Sequence, residues 1–411
     1  MLIQCTHKRI CFYKHNSRLC VHLFFICFKM SRQMKLINVQ SNYKRGVNGI
    51  MKTFKGNMYD YIFEAQNYAS RIIENRKEIT KPYVEAFHHQ ISTVVITGAG
   101  TSNFSPQSAR VFMEKVTGIP TYVVLPTAIT SQEHIFNEHT LLIGISATGT
   151  SANTIAALEY AKSKGATAVA FTNDLNSPFA QKNEHRVFID HGEEDCSPKS
   201  KSYVCELVTL SLCALELALA LHKITEAEYD GMIERMKCTV YGLNSIAAQS
   251  DQWYTKHSEE FRQCDRMLVV GYGANKGNIQ EGALKILECG RFQTSFYELE
   301  EFMHGIYHSI KEDCYLLYIS HREKASLNRS VRLMNYLSEF TEHQFIVCNR
   351  SEGIHNERSL DIDFVDDPDF YFIEYIIPMQ IVAYRIAVDK GINPNRPSDP
   401  LFHQKMNSKF I

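Results

Sequence analysis

The sequence predicts an α/β protein made of two doubly wound βα units, each a parallel sheet flanked by helices. Two observations predict it. Short β-branched runs that end in glycine- or hydroxyl-rich turns alternate with helix-spaced stretches, the pattern of strands buried on both faces. That pattern then occurs a second time in the chain, after a helical separator. Residues 51–84 read as an N-terminal helical segment, with Tyr61, Ile62, Ala65, Tyr68, Ala69 and Ile72 at helical spacing, a pattern extending to about Phe87. The first unit is expected over 85–225. Its strands are Thr93–Thr97, Thr121–Leu125, Leu141–Ser146, Ala168–Thr172 and Arg186–Ile189, and a long apolar helix covers 203–222. A helical linker is expected at 226–255. The second unit, 256–370, opens with Arg266-Met-Leu-Val-Val-Gly271, followed by a helix from about Asn278 to Cys289. Further strands are expected near 293–297, 315–319 and 345–348. A C-terminal helix and tail occupy 371–411, the helix stopping at Gly391 ahead of Pro394, Pro397 and Pro400.

Composition narrows the class. The 411 residues carry 44 Lys+Arg against 45 Asp+Glu, so no global basic footprint for nucleic acid exists. No uninterrupted apolar run approaches the ~20 residues that cross a bilayer, and a membrane protein is not expected. Charge is uneven, however. Residues 1–50 hold nine basic and no acidic residues, together with four of the twelve cysteines. This basic extension reads as non-native upstream sequence ahead of a start at Met51, as a disordered tail, or as a targeting segment, and it is set apart from the fold. The other eight cysteines include no C-x-x-C pair, so neither a zinc site nor a disulfide framework is expected; reduced thiols imply a cytoplasmic protein.

In open parallel sheets ligands bind beyond the carboxyl ends of the strands. The first unit places two hydroxyl-rich turns there, Gly100-Thr-Ser102 and Ser146-Ala-Thr-Gly-Thr-Ser151, each just before a helix whose N–H groups favour an anion. Serine and threonine are also ordinary N-caps, so either turn alone admits that plainer reading. Gly98-Ala-Gly-Thr-Ser-Asn103 lacks the third glycine of a dinucleotide fingerprint, and no Walker lysine occurs. In the second unit Glu281, Lys285 and Glu288 stand at i, i+4 and i+7 and share one helical stripe. A solvated ion pair is one reading; carboxylates facing a protected cleft, raised in pKa and able to act as bases, are the other. His304 follows sixteen residues later. His304 and His308 do not form H-E-x-x-H, and no metal is assigned.

These residues resemble the SIS (sugar isomerase) domain family. Glu281-Gly-Ala-Leu-Lys-Ile-Leu-Glu288 is similar to the E-G-A-L-K-x-x-E helix in the isomerase half of glutamine–fructose-6-phosphate aminotransferase. Glu298-Leu-Glu-Glu-Phe-Met-His304-Gly305 resembles its E-L-x-H-G segment in the longer form of the fructosamine-6-phosphate deglycases. The resemblance implies that Thr101, Ser102, Ser146, Thr148 and Ser151 hold a sugar phosphate, with Glu281 and Lys199 of Pro198-Lys-Ser-Lys201 contacting substrate. It implies Glu288 as the base between C1 and C2, Lys285 beside it, and His304 assisting ring opening, in the family from a neighbouring subunit. A tail lysine, Lys405 or Lys409, is a candidate contact. Met1 is followed by Leu-Ile-Gln rather than a Cys-Gly-Ile glutaminase start, so glutamine-derived ammonia transfer is not expected. The expected activity is deglycation of a fructosamine 6-phosphate. A ketose–aldose isomerase, an amino-sugar-phosphate deaminase and a non-catalytic sugar-phosphate sensor are the alternatives. No cofactor is expected, and the partners are a small sugar phosphate and a second copy of the chain, in a homodimer or larger homo-oligomer.

Overall fold

The computed structural model describes residues 55–131, 136–354 and 356–409, so the expectations for 1–50 lie outside the described residues. Residues from 55 on form a single body, and the two helices that open it are α1 (Met58–Glu74) and α2 (Arg76–Ala86). The helical segment here is two helices, broken at Asn75. Its side-chain amide donates to the Arg71 carbonyl at 3.1 Å, a local bond that competes with continued helix.

The first sheet contains β1 (Thr93–Thr97), β2 (Thr121–Val123), β3 (Thr140–Ile145), β4 (Thr167–Thr172) and β5 (His185–Phe188). Every pairing is parallel and the spatial order is β2-β1-β3-β4-β5. Its helices are α3 (Thr101–Thr117), α4 (Pro126–Ser131), α5 (Ala152–Ser163) and α6 (Pro178–Gln181), with α7 (Lys201–Ala220) beyond β5. The strand order reverses between β1 and β3, where Ile96 faces Ile143 in register, and the turns after these two strands flank that switch point.

Three helices follow: α8 (Glu226–Tyr241), α9 (Leu243–Lys256) and α10 (Ser258–Gln263). The first is opened by a reciprocal cap, Thr225 and Glu228 each bonding the other's backbone N–H. The second sheet then runs through β6 (Arg266–Gly271), β7 (Gln293–Glu298), β8 (Tyr315–Ile319), β9 (Gln344–Asn349) and β10 (Ser359–Ile362), all parallel, ordered β10-β9-β8-β6-β7. Numbered within its own unit, this is the first sheet's order again. Its helices are α11 (Lys276–Gly290), α12 (Leu299–Phe302) and α13 (Lys324–Leu337), followed by α14 (Ile377–Asp389) and the short tail helix α15 (Phe402–Lys405).

Two of these elements carried little sequence signal. β10 is a four-residue edge strand, and α13 buries only Leu327, Ser330, Leu333 and Leu337 against the sheet. By length and composition alone, α7 and the stretch Tyr371–Asp389 are apolar enough to cross a membrane. Their composition reflects burial instead, since α7 packs against α1, α2 and α3 and hides nearly every side chain. The two units share one continuous core. Where α3 meets α11, a Cβ on Gly277 would stand 2.2 Å from the Phe104 carbonyl oxygen, so only glycine allows that approach.

Candidate active site

The two turns at the β1/β3 switch point open onto a cavity of about 440 Å³. Thr101, Ser102, Ser146, Thr148, Ser151 and Lys199 all lie on its wall. The hydroxyl residues owe their place to two strand ends. Gly98–Gly100 turns the chain from β1 into the first turn of α3, and Ser146–Gly149 turns it from β3 toward α5, with the Gly149 N–H donating to the Ser146 carbonyl at 2.9 Å. Gly149 has φ +65, and a Cβ there would lie 1.9 Å from the Ser177 hydroxyl, so the turn closes this tightly only with glycine. The hydroxyls of Thr148 and Thr150 bond each other at 2.8 Å, and Ser146 Oγ accepts the Ser151 N–H at 3.4 Å.

Lys199 is held by carbonyls: its ammonium donates to Glu194 O and to Cys196 O. The Glu194 carboxylate in turn accepts the N–H groups of Ser200, Lys201 and Ser202 at 2.7–3.1 Å and occupies the N-terminus of α7. Burial alone would raise its pKa, but Lys199, His191 and these donors hold it below the ordinary value.

The chain's tail forms the remaining wall. Ser151 and Lys409 make an antiparallel bridge, and the Ser408 carbonyl accepts the Ala152 N–H at 3.4 Å. This brings His403, Ser408 and Lys409 to the cavity. Of the two tail lysines, Lys409 is therefore at the site. Lys405 points elsewhere and pairs with Asp399 at 2.7 Å on the surface.

Behind Thr101 runs a buried ionic chain. Thr101 Oγ1 donates to Glu281 Oε1 at 3.1 Å, Lys285 Nζ stands 3.4 Å from Glu281, and it donates to Glu288 Oε2 at 2.7 Å. Glu281 was expected to touch substrate. Instead it is fully buried behind the wall, because the helix stripe that carries it packs against α3. Burial pushes its carboxyl up to about 7 against the pull of Lys285. Lys285 is also buried. Desolvation opposes its charge, yet the two glutamates outweigh that and hold its pKa above the ordinary value. The expected i, i+4, i+7 stripe is thus real and mostly protected; only Glu288, with 40 % of its side chain accessible, reaches solvent. Neither Glu288 nor His304 is on the cavity wall of its own chain. His304 is exposed on the turn after α12, which leaves the second sheet at β7, an edge strand.

Sequence reasoning missed Glu206, Asn153, Thr127, Ser202 and His403 on the wall. Glu206 had a signal: it is the sole charged residue in the apolar run Tyr203–Leu215. Its side chain is 1 % exposed, and burial pushes its carboxyl up to about 8. Among the described residues no cluster of His, Cys, Asp and Glu suits a metal ion.

Comparison with known proteins agrees with this architecture. The SIS domain model matches residues 89–220 and 260–386. Glutamine–fructose-6-phosphate aminotransferase from Caldanaerobacter subterraneus is 24 % identical over 80 % of this chain and 53 % of its own length. The enzyme of that name from Pyrococcus horikoshii is 26 % identical over 77 % and 52 %. The chain thus spans about half the length of these curated relatives. A crystal structure of a candidate phosphosugar isomerase from Clostridium difficile 630 superposes with a TM-score of 0.81 at 27 % identity, covering 86 % of this chain and 99 % of that one. The C-terminal domain of glucosamine-fructose-6-phosphate aminotransferase from Francisella tularensis shares the fold, with a TM-score of 0.74 at 20 % identity over 84 % and 98 %. With both matched segments falling on the two sheets described above, the chain belongs to the SIS-domain family and carries that domain twice.

Proposed function

We propose that the protein is a fructosamine-6-phosphate deglycase, an enzyme that cleaves a phosphorylated amino-ketose into a hexose 6-phosphate and an amine or amino acid. The observation that carries this reading is the pairing of a hydroxyl-lined cavity with the ionic chain that leads from its wall to Glu288. Thr101, Ser102, Ser146, Thr148 and Ser151 supply donors for the phosphate, and Lys199 and Lys409 supply positive charge. Glu288 lies seven residues beyond Glu281, a rise of about 10 Å along the helix. An open-chain hexose phosphate spans a gap of that order.

Glu288 takes a proton from C1 of the open-chain substrate. The electron pair forms C1=C2, and the C2 oxygen takes a proton, giving an enolamine. Reprotonation at C2 shifts the double bond to C1=N. Water adds at C1, the C1–N bond breaks, and the amine leaves with the added proton. Lys285 donates to Glu288 and orients it. His304, exposed in its own chain, serves ring opening at the site of a second copy, which makes the working unit at least a dimer. The reduced cysteines of the described residues fit a cytoplasmic setting.

The second reading is a ketose–aldose isomerase, which stops at the proton transfer, or an amino-sugar-phosphate deaminase, in which water then adds to the imine carbon and the C–N bond breaks to release ammonia. The 27 % identical candidate phosphosugar isomerase favours it. Incubating the full chain with fructoselysine 6-phosphate, or with fructose 6-phosphate and ammonia, separates the two. Release of lysine and hexose 6-phosphate from the first, lost in Glu288→Gln, is the expected result. Turnover of the second pair alone would replace deglycation with deamination or isomerisation. Binding without turnover of either would leave a sensor.

A further inference from the structure

Glu206 stands on the cavity wall as a carboxylate 1 % exposed, in a place where the reading above seats an anion. Two such charges side by side with little water between them repel strongly. The hydrogen bonds add a second conflict. Ser102 Oγ donates to Glu206 Oε1 at 3.0 Å and Ser105 Oγ donates to Oε2 at 2.5 Å. A serine hydroxyl has one proton to give. While Ser102 gives its proton to Glu206, it turns only lone pairs toward the cavity and cannot donate to a phosphate.

We propose that Glu206 is a positioning residue that must carry a proton when a sugar phosphate binds, taking one up where it is ionised, so that the Ser102 bond is reversed and the serine proton points at the phosphate. With Oε1 protonated, the acid O–H donates to Ser102 Oγ, and the Ser102 proton is released toward the ligand. The carboxylate charge disappears in the same step. One proton enters from solvent, and no covalent bond changes beyond those O–H bonds. This inference rests on the phosphate-binding reading of the cavity.

The surroundings favour the protonated form. From α11, Glu281 faces Glu206, with Lys285 neutralising Glu281 from behind; from the loop before α7, Glu194 faces it; both acids raise its pKa. Lys199 of that loop and His403 and Lys409 of the tail share the cavity wall. On its own helix, Lys201 is engaged by Glu64 at 2.6 Å, and Tyr203 is buried with its pKa raised.

The test uses sorbitol 6-phosphate, which has no carbonyl and cannot turn over, with sorbitol as the unphosphorylated control. Titration calorimetry of the full chain at pH 7 and pH 9, in buffers of different ionisation enthalpy, reads affinity and proton uptake together. The expected result is proton uptake on binding at the higher pH and an affinity about tenfold weaker there, one pKa unit of pH costing a factor of ten. Glu206→Gln, whose amide donates to Ser102 permanently, should bind equally at both pH values with no uptake. Equal pH dependence in the two proteins, or binding of the wild type at pH 9 without uptake, overturns the role of Glu206 and leaves the phosphate cradle standing. No sorbitol 6-phosphate binding at pH 7 by either protein overturns both.

Discussion

The carboxyl ends of the two sheets have the same strand order and opposite contents. In the first, the turns after β1 and β3 are small and hydroxylated, and they leave a cavity of about 440 Å³. In the second, the corresponding turns after β6 and β8 bring Tyr272 and His321 together, and Tyr371 closes over them. The His321 ring stacks on Tyr371 at 4.1 Å and tilts against Tyr272 at 4.7 Å. Tyr272 Oη donates to the His321 carbonyl at 2.6 Å, and Tyr371 Oη accepts the Ala274 N–H at 2.9 Å. Burial pushes the imidazole pKa down to about 4, so it remains neutral packing. The difference teaches that the switch point offers a place for a ligand, while the side chains on the turns decide whether it stays open. One sheet end stays open as a cavity, and the other is filled as a plug.

The largest expected effect comes from the chemistry proposed for Glu288 and His304. Glu288→Gln should lower hexose 6-phosphate release by about 10²–10⁴-fold, the usual worth of a general base. His304→Asn should be similarly impaired alone. Mixing the two variants should restore part of the activity if each site draws on two copies; no recovery on mixing, with both variants still oligomeric, would sink that arrangement.

Emptying the plug should act on stability instead. His321→Ala leaves a void among packed rings and should cost about 2–4 kcal/mol in denaturant unfolding, by analogy with other large-to-small core changes. Its kcat/KM per folded molecule should be unchanged, and a comparable loss of turnover would show that these packed rings take part in the reaction. The mirror experiment is Ser146→Ala. It should raise KM about tenfold or more, as expected for losing a hydrogen bond to a charged group, with little change in unfolding midpoint.

The open half should also make stability pH-dependent. The folded pKa of Glu206 is about 8, well above that of an exposed glutamate, so the folded chain holds more protons than the unfolded one between those values. Its stabilising contribution is fully present below the unfolded pKa and is lost as pH rises through about 8. Glu281 and Glu374, both near 7, act in the same direction. Glu206→Gln should therefore flatten part of the decline in unfolding free energy between pH 5 and 9; an unaltered slope would contradict this. The smallest effect is expected at the tail, where Lys405→Ala removes a pair with both partners about two-fifths exposed. So exposed a pair adds little to stability, the unfolding midpoint should hardly shift, and KM should not move. Lys409→Ala, at the cavity, should raise KM.

Much of this was legible in the chain. Thr93–Thr97 and Arg266–Gly271 are strands in the structure with the expected bounds, because a β-branched run buried on both faces leaves little choice of conformation. Tail and edge elements were less legible. Nothing local distinguishes Lys405 from Lys409; the antiparallel bridge to Ser151 does. The spacing of Glu281, Lys285 and Glu288 placed them on one stripe, but not behind Thr101. That position depends on α11 meeting α3 at Gly277, a contact between residues far apart in sequence.

The sequence by itself determined the repeated βα pattern, the two hydroxyl turns and the helical stripe, since strand, turn and helix preferences are set over a few neighbouring residues. Tertiary structure alone decided which sheet end is open, which glutamates are desolvated, and that Glu206 faces the cavity. Burial and charge proximity are properties of folded neighbours, and those neighbours come from distant parts of the chain.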